Sequence, residues 1–238
     1  MNEIIADLKQ ASKQYKSGDS VFTALYPTDL TLYRGELLLL MGPSGSGKTT
    51  LLSLIGSVIY PTSGEVYIGG KLTSGLNEVQ LARLRLNTIG FVFQNYNLIA
   101  PLTAINNVAF PLQLQKIAAR ETGERALNSL RTVKMEHRKD ALPKQMSGGE
   151  QQRVAIARAL VTNPDIILCD EPTGALDQKS GEMVMLELRD LARAGKCVVV
   201  VTHDPRLVSF ADRIIYLEDG HVSDRPFDQT RFGTDTFS

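Results

Sequence analysis

The chain has 238 residues, enough to bury the core of one large domain or two small lobes. Its 26 Lys and Arg balance its 26 Asp and Glu, so net charge gives no support to a nucleic-acid partner, which calls for a basic face. Apolar runs such as Leu37–Met41 and Cys197–Val201 fall far short of the ~18 residues that span a bilayer, and no charged-then-apolar leader opens the chain, so a soluble intracellular protein is expected.

In chain order, Ile4–Leu8, Val21–Leu25, Asp29–Leu32 and Glu65–Ile68 read as short apolar strands bounded by Gly, Pro, Asp or Ser. Gly18-Asp19 and Gly69-Gly70 are turn signals, and strands so closely spaced predict an antiparallel sheet. Tyr15, in Lys13-Gln14-Tyr15-Lys16, is open to two readings. It is half-buried packing, or an aromatic face for a purine base, a contact worth ~1–3 kcal/mol.

The apolar run Leu37–Met41 leads into Gly42-Pro43-Ser44-Gly45-Ser46-Gly47-Lys48-Thr49, and a helix-like run follows from Thr50 to Ile55. The pattern G-x-x-x-x-G-K-[ST] between strand and helix is the phosphate-binding loop in its required context. Its glycines let successive backbone N–H groups converge on phosphate oxygens, and the helix start adds its own unpaired donors. Lys48 can reach the β- and γ-phosphates, and the Thr49 hydroxyl is placed for Mg²⁺.

Asn77–Leu86 predicts a surface helix, and Thr88–Phe93 a buried strand that delivers Gln94 at its end. Ligands of open α/β sheets bind just beyond such carboxyl ends. Residues 95–160 read as mostly helical, with Ala118–Val133 rich in helix formers and Leu142-Pro143 a break. Ser147-Gly148-Gly149-Glu150 then has capping-box spacing ahead of a helix, Gln151–Leu160. This is a well-started helix, or a second anion site made of Ser147, two permissive glycines and a helix N-terminus.

Asp165–Glu171 is a strand ending in paired carboxylates. Asp170 can hold Mg²⁺ through water, and Glu171 can face an attacking water as general base. Gly181–Ala194 predicts a helix and Lys196–Val201 a buried strand, past which His203 is either structural or a γ-phosphate contact. Arg213–Leu217 is a last core strand with a hairpin turn at Asp219-Gly220. Beyond about Ser223 the sequence reads as a mobile polar tail, and Cys169 and Cys197, inside apolar strands, read as buried reduced thiols.

Taken together, these residues resemble an ABC-type ATPase, the nucleotide-binding subunit of an ABC transporter. Gly42–Thr49 is similar to the family's first nucleotide motif, and Gln94 to its Q-loop. Met146-Ser147-Gly148-Gly149-Glu150-Gln151 resembles the LSGGQ signature, with Met for Leu and an extra Glu. Leu168–Glu171 ends the second nucleotide motif, Gly174-Ala175-Leu176-Asp177 resembles the D-loop, and His203 the switch histidine. Asp170–Asp177 and Phe91–Leu98 further resemble the macrolide-export and lipoprotein-release group, whose membrane partners are mechanotransmitting permeases.

The resemblance implies an α/β fold: a phosphate-loop NTPase core with a mostly parallel sheet, an N-terminal antiparallel β subdomain and an inserted helical subdomain. The ATPase domain would span 1–222, with a core lobe of 1–93 plus 162–222, a helical lobe of 94–161 and a tail of 223–238. ATP would be held by Tyr15, the whole loop from Gly42 through Pro43, Ser44, Gly45, Ser46 and Gly47 to Lys48, Thr49 and Thr50, and across a homodimer by Ser147, Gly148, Gly149 and Asp177. Mg²⁺ would be held by Thr49, Gln94 and Asp170, and catalysis carried by Glu171, His203, Lys48 and Gln94. The chain would sit at the cytoplasmic face of the cell membrane through a separate integral membrane permease, which would dock near Gln94–Thr103, where Tyr96, Leu98, Ile99 and Leu102 are the apolar candidates. A soluble ABC ATPase acting on DNA or ribosomes lacks support, because this chain has no long coiled coil, zinc cysteines or second cassette. A regulatory ATPase that signals through a membrane partner is the alternative to transport.

Overall fold

The computed structural model describes residues 3–18 and 20–227. A long hairpin, β1 (Ile4–Ser17) and β2 (Ser20–Tyr33), joins β4 (Ser63–Ile68) and β5 (Lys71–Leu72) in an antiparallel sheet of order β2-β1-β4-β5. The short segments expected between residues 4 and 32 are thus two continuous strands. β2 continues past Pro27 because it lies at the sheet edge, where a missing N–H need not break a ladder bond. The turn expected at Gly18-Asp19 falls partly outside the described residues, as does most of the expected tail, 228–238.

The second sheet has the order β10-β9-β3-β8-β7-β6. Strands β3 (Leu37–Met41), β6 (Ile89–Val92), β7 (Ile166–Asp170), β8 (Cys197–Thr202) and β9 (Arg213–Glu218) run parallel, with β10 (His221–Ser223) antiparallel at one edge. Parallel strands are covered on both faces, hence the unbroken apolar runs. Successive side chains of β3 point to opposite faces. Leu37 and Leu39 enter one core with residues of α3 (Ala104–Leu114), α4 (Ala119–Thr132), α5 (Gly148–Leu160) and α6 (Gln178–Arg193). Leu38 and Leu40 enter another with α1 (Lys48–Ile55) and the antiparallel sheet. One further helix, α2 (Glu78–Thr88), precedes β6 and starts with a capping box of Asn77 and Gln80.

Cys169 and Cys197 are buried, unbridged thiols, as expected. Burial pushes Cys197 up to about 12 and also raises Cys169. No helix among the described residues is long and apolar enough to cross a membrane.

The register fixes the functional edge. Met41 pairs with Thr202, Asp170 with Val201, and Val92 with Cys169. The carboxyl ends of β3, β8, β7 and β6 therefore lie side by side, and the segments leaving them carry Gly42, His203, Glu171 and Gln94.

A candidate nucleotide site at the carboxyl edge of the parallel sheet

The loop after β3 is shaped by close approach. At Gly42 (φ 156°) a Cβ would stand 2.0 Å from Leu217 O, and at Gly47 (φ 103°) 2.4 Å from Ala24 O, so neither position admits a side chain. Gly47 also precedes α1 without any side-chain cap, and the first turn has no acidic residue. The helix N-terminus keeps its donors and positive dipole end for an anion. Lys48 is buried at this turn, where its ammonium donates to Gly42 O at 2.9 Å and to Pro43 O at 2.6 Å. Burial lowers its pKa, against the opposing pull of Glu171 and Asp170.

Asp170, the last residue of β7, is raised in pKa by burial and by its neighbour Glu171, and this is partly offset by Lys48 and the Thr49 hydroxyl. A half-buried carboxylate beside a hydroxyl suits a hard divalent cation that takes its remaining oxygen ligands from phosphates and water. Thr49 and Asp170 thus fit Mg²⁺, with the Gln94 amide oxygen a further candidate ligand. No cluster of three or more His, Cys, Asp and Glu that could hold a metal by itself occurs among the described residues.

Glu171 has φ 45°, a left-handed conformation that costs a non-glycine residue roughly 1–3 kcal/mol and persists only where its surroundings impose it. Its N–H donates to Val201 O at 2.9 Å. Its Oε2 accepts from Gln94 Nε2 at 3.0 Å, and its Oε1 lies 2.9 Å from His203 Nδ1. Side chains following three separate strands, β6, β7 and β8, therefore meet at one carboxylate.

These groups face a cavity of about 370 Å³ lined by Tyr15, Ser44, Gly45, Gly47, Lys48, Thr49, Thr50, Gln94, Asp170 and Glu171. Phe22 lines it too, at 62% exposed, and this residue carries no motif in the sequence. Its signal is structural: the β1–β2 register sets Phe22 directly opposite Tyr15. Gly42 and Pro43 adjoin the cavity through Lys48, and His203 through Glu171. Ser46 Oγ is buried in the loop without a hydrogen-bond partner among the described residues.

Other expected ligands are not among the residues lining this cavity. Ser147 caps α5: its Oγ accepts from Glu150 N at 3.3 Å, and its own N–H donates to Glu150 Oε2 at 2.8 Å. That bond, with Arg138 nearby, holds the Glu150 pKa low. The helix therefore begins at Gly148, three residues before the sequence places it. Gly148 and Gly149 form its first turn. Asp177 caps α6 in the same way, accepting from Ser180 N at 3.1 Å and Ser180 Oγ at 2.6 Å, and these bonds depress its pKa.

An apolar groove of about 840 Å³ runs between α2, β6 and α3. Val79 and Leu114 line it at 62% and 56% exposed, with Phe93 and Phe110 each at 37%. Of the apolar residues that the sequence offers for docking, Ile99 lines this groove. Leu98 instead packs against the core, Leu102 is half-buried with its carbonyl bonded to Asn107, and Tyr96 turns toward Gly148.

With this geometry in place, comparison with known proteins gives a consistent picture. The family model described as ABC transporter matches residues 25–174. The chain is 50% identical over 220 residues to the uncharacterized ABC transporter ATP-binding protein MJ0796 of Methanocaldococcus jannaschii, covering 90% of this chain and 94% of that one. It is 43% identical over 224 residues to the macrolide export ATP-binding/permease protein MacB 2 of Aeromonas hydrophila, covering 94% of this chain but only 35% of that protein, about a third of its length. Among solved structures, the fold is similar to the MJ0796 cassette in a dimeric post-hydrolysis state bound to ADP and Pi, with TM-score 0.85, 46% identity, and coverage of 94% of this chain and all of that one. A family model matched across well over half of the chain, together with a half-identical relative matched along nearly its whole length, shows that this chain belongs to the ABC transporter family as an ATP-binding, ATP-hydrolysing subunit.

Proposed function

We propose that two copies of this chain bind two ATP molecules head to tail and drive a separate membrane permease of the mechanotransmitting export type from the cytoplasmic face. The observation that carries this reading is the convergence of Gln94 and His203 on Glu171 beside the phosphate loop. Glu171, oriented by these two partners, takes the proton of the attacking water, an effect typically worth roughly 10²–10⁴-fold. Lys48 and the N-terminal N–H groups of α1 hold the β- and γ-phosphates, and His203 bears on the γ-phosphate. Tyr15 stacks on the base. Thr49, Gln94 and Asp170 would hold Mg²⁺, which when bound would supply neutralisation of the phosphate charge.

Ser147, Gly148, Gly149 and Asp177 complete the partner's site in this reading. None of the four lines the cavity of its own chain, which supports that assignment, because a capped helix start and two glycines offer donors with no nucleotide of their own. The division into a core lobe, 1–93 plus 162–222, and a helical lobe, 94–161, assigns Ser147 to one lobe and Lys48 to the other. Closure of the dimer then brings unlike lobes together around each ATP.

The permease docks in the groove between α2, β6 and α3. Its exposed apolar lining is a patch of the kind that marks a protein contact. Phe93 and Asn97, which line the groove, stand on either side of Gln94 in the chain, so a partner seated there would feel the nucleotide site. Phe110→Glu or Leu114→Glu is expected to weaken recovery of the subunit with permease-containing membranes by about tenfold or more, the effect of losing an interface anchor. ATP binding should be spared. Co-sedimentation with membranes carrying the permease checks this, and unchanged recovery of both variants would place the docking surface elsewhere.

A further inference from the structure

The turn that follows Gln94 is held twice, near both ends of one helix. Tyr96 and Asn97 have φ of 58° and 48°, consecutive left-handed residues, a conformation unusual for a tyrosine. Arg158, near the C-terminal end of α5, provides one hold. Its Nη2 donates to Tyr96 O at 2.8 Å and its Nη1 to Asn97 O at 2.6 Å. The other hold is at the N-terminal end of the same helix. A Cβ on Gly148 would stand 2.7 Å from the Tyr96 hydroxyl oxygen and 3.7 Å from the ring carbon that bears it. The same point lies 3.6 Å from Ala175 O, so Gly148 is wedged between the Gln94 turn and the loop after β7. At 1.5 Å per residue the two holds are about 15 Å apart along α5.

Gln94 itself reaches the carboxylate of Glu171, two residues from where its turn is gripped. A chain of contact therefore runs from Glu171 through Gln94 to Tyr96 and on to the first turn of α5. We propose that Tyr96, with its backbone locked by Arg158, is a positioning residue: its side chain, set against Gly148, links the Gln94 turn to the first turn of α5. Displacement of Gln94 by a nucleotide in the cavity then moves the N-terminus of α5 in the same chain. This rests on the ATPase reading above and supplies the physical link by which occupancy of one site sets the donors offered to the other.

The test uses the full chain without a permease. Tyr96→Phe keeps the ring and removes only the hydroxyl that lies against Gly148, so its kcat is expected to fall between those of wild type and Tyr96→Ala. Tyr96→Ala removes the tie, and kcat should fall about tenfold while the ATP KM moves less than about twofold. Hydrogen exchange on dilute monomer separates coupling from stability. Adding Mg-ATP to the wild type should change protection at both 42–49 and 147–151. In Tyr96→Ala the first change should remain and the second vanish. If Tyr96→Ala folds poorly, Tyr96→Leu keeps apolar bulk without the reach to Gly148 and takes its place. Wild-type kcat in the ring-less variants, or an intact nucleotide-dependent change at 147–151, would overturn the tie. A wild-type chain that showed no protection at 42–49 with Mg-ATP would instead overturn the reading beneath it.

Discussion

Lys48→Ala is expected to reduce ATP turnover by about 10²–10³-fold or more, the loss that follows removal of a single preorganised donor at a developing negative charge. The structure gives the change two further consequences. Gly42 O and Pro43 O lose the ammonium that each accepts from, so the loop loses part of its internal bracing. Asp170 and Glu171 also lose a cation whose charge offsets their mutual repulsion, so Asp170, already raised by burial, moves further up. Both effects oppose the holding of Mg²⁺ and triphosphate. A hydrogen bond to a charged group contributes about 1.5–3 kcal/mol, so nucleotide affinity should fall by about 10- to 150-fold. Steady-state turnover together with equilibrium nucleotide binding checks both numbers. Near wild-type turnover would remove this loop from the site.

Glu171→Gln is expected to lower turnover by roughly 10²–10⁴-fold while nucleotide binding is retained, because the amide cannot take a proton from water. The replacement is nearly the same shape, and its carbonyl oxygen can still accept from Gln94 Nε2. Its amide group can turn to His203 Nδ1, whose donor or acceptor role follows the tautomer. The left-handed backbone at residue 171 is held by the bond to Val201 O, which the substitution leaves in place. The variant should therefore fold and accumulate as an ATP-bound dimer, visible by light scattering with ATP and Mg²⁺. A monomeric variant that still hydrolyses ATP would assign the proton to another base.

Much of this site was legible in the sequence because its parts sit at strand ends. The apolar runs of β3, β6, β7 and β8 mark the sheet; Asp170 ends β7, Gly42, Glu171 and His203 directly follow β3, β7 and β8, and Gln94 stands two residues past β6. What escaped was whatever depends on a neighbour distant in sequence or on the course of an irregular loop. Phe22 reaches the cavity because the hairpin register sets it against Tyr15, and no local pattern encodes that pairing. The residues after Gln94 have no helical or strand period, so their side-chain directions could not be read. Leu98 turns into the core and Tyr96 toward Gly148, while Val79, Phe110 and Leu114, on helices either side of β6, supply the exposed apolar groove. The Ser147 capping box was readable from its spacing. Gly148 was legible as a glycine of the signature, but its reason in this chain, the crowding by Tyr96, was not.

That crowding also decides how the head-to-tail arrangement is best tested. A side chain placed at Gly148 would collide with Tyr96 in its own chain, so its effect would not isolate a contact made by a partner. Dilution of the unmodified chain has no such ambiguity. If each hydrolysing site is completed by Ser147, Gly148 and Gly149 of a second copy, ATP turnover per chain at saturating Mg-ATP must rise steeply with protein concentration. It must also vanish on dilution below the range where light scattering detects dimers. Turnover per chain that stays constant as the protein is diluted to monomer would contradict the account.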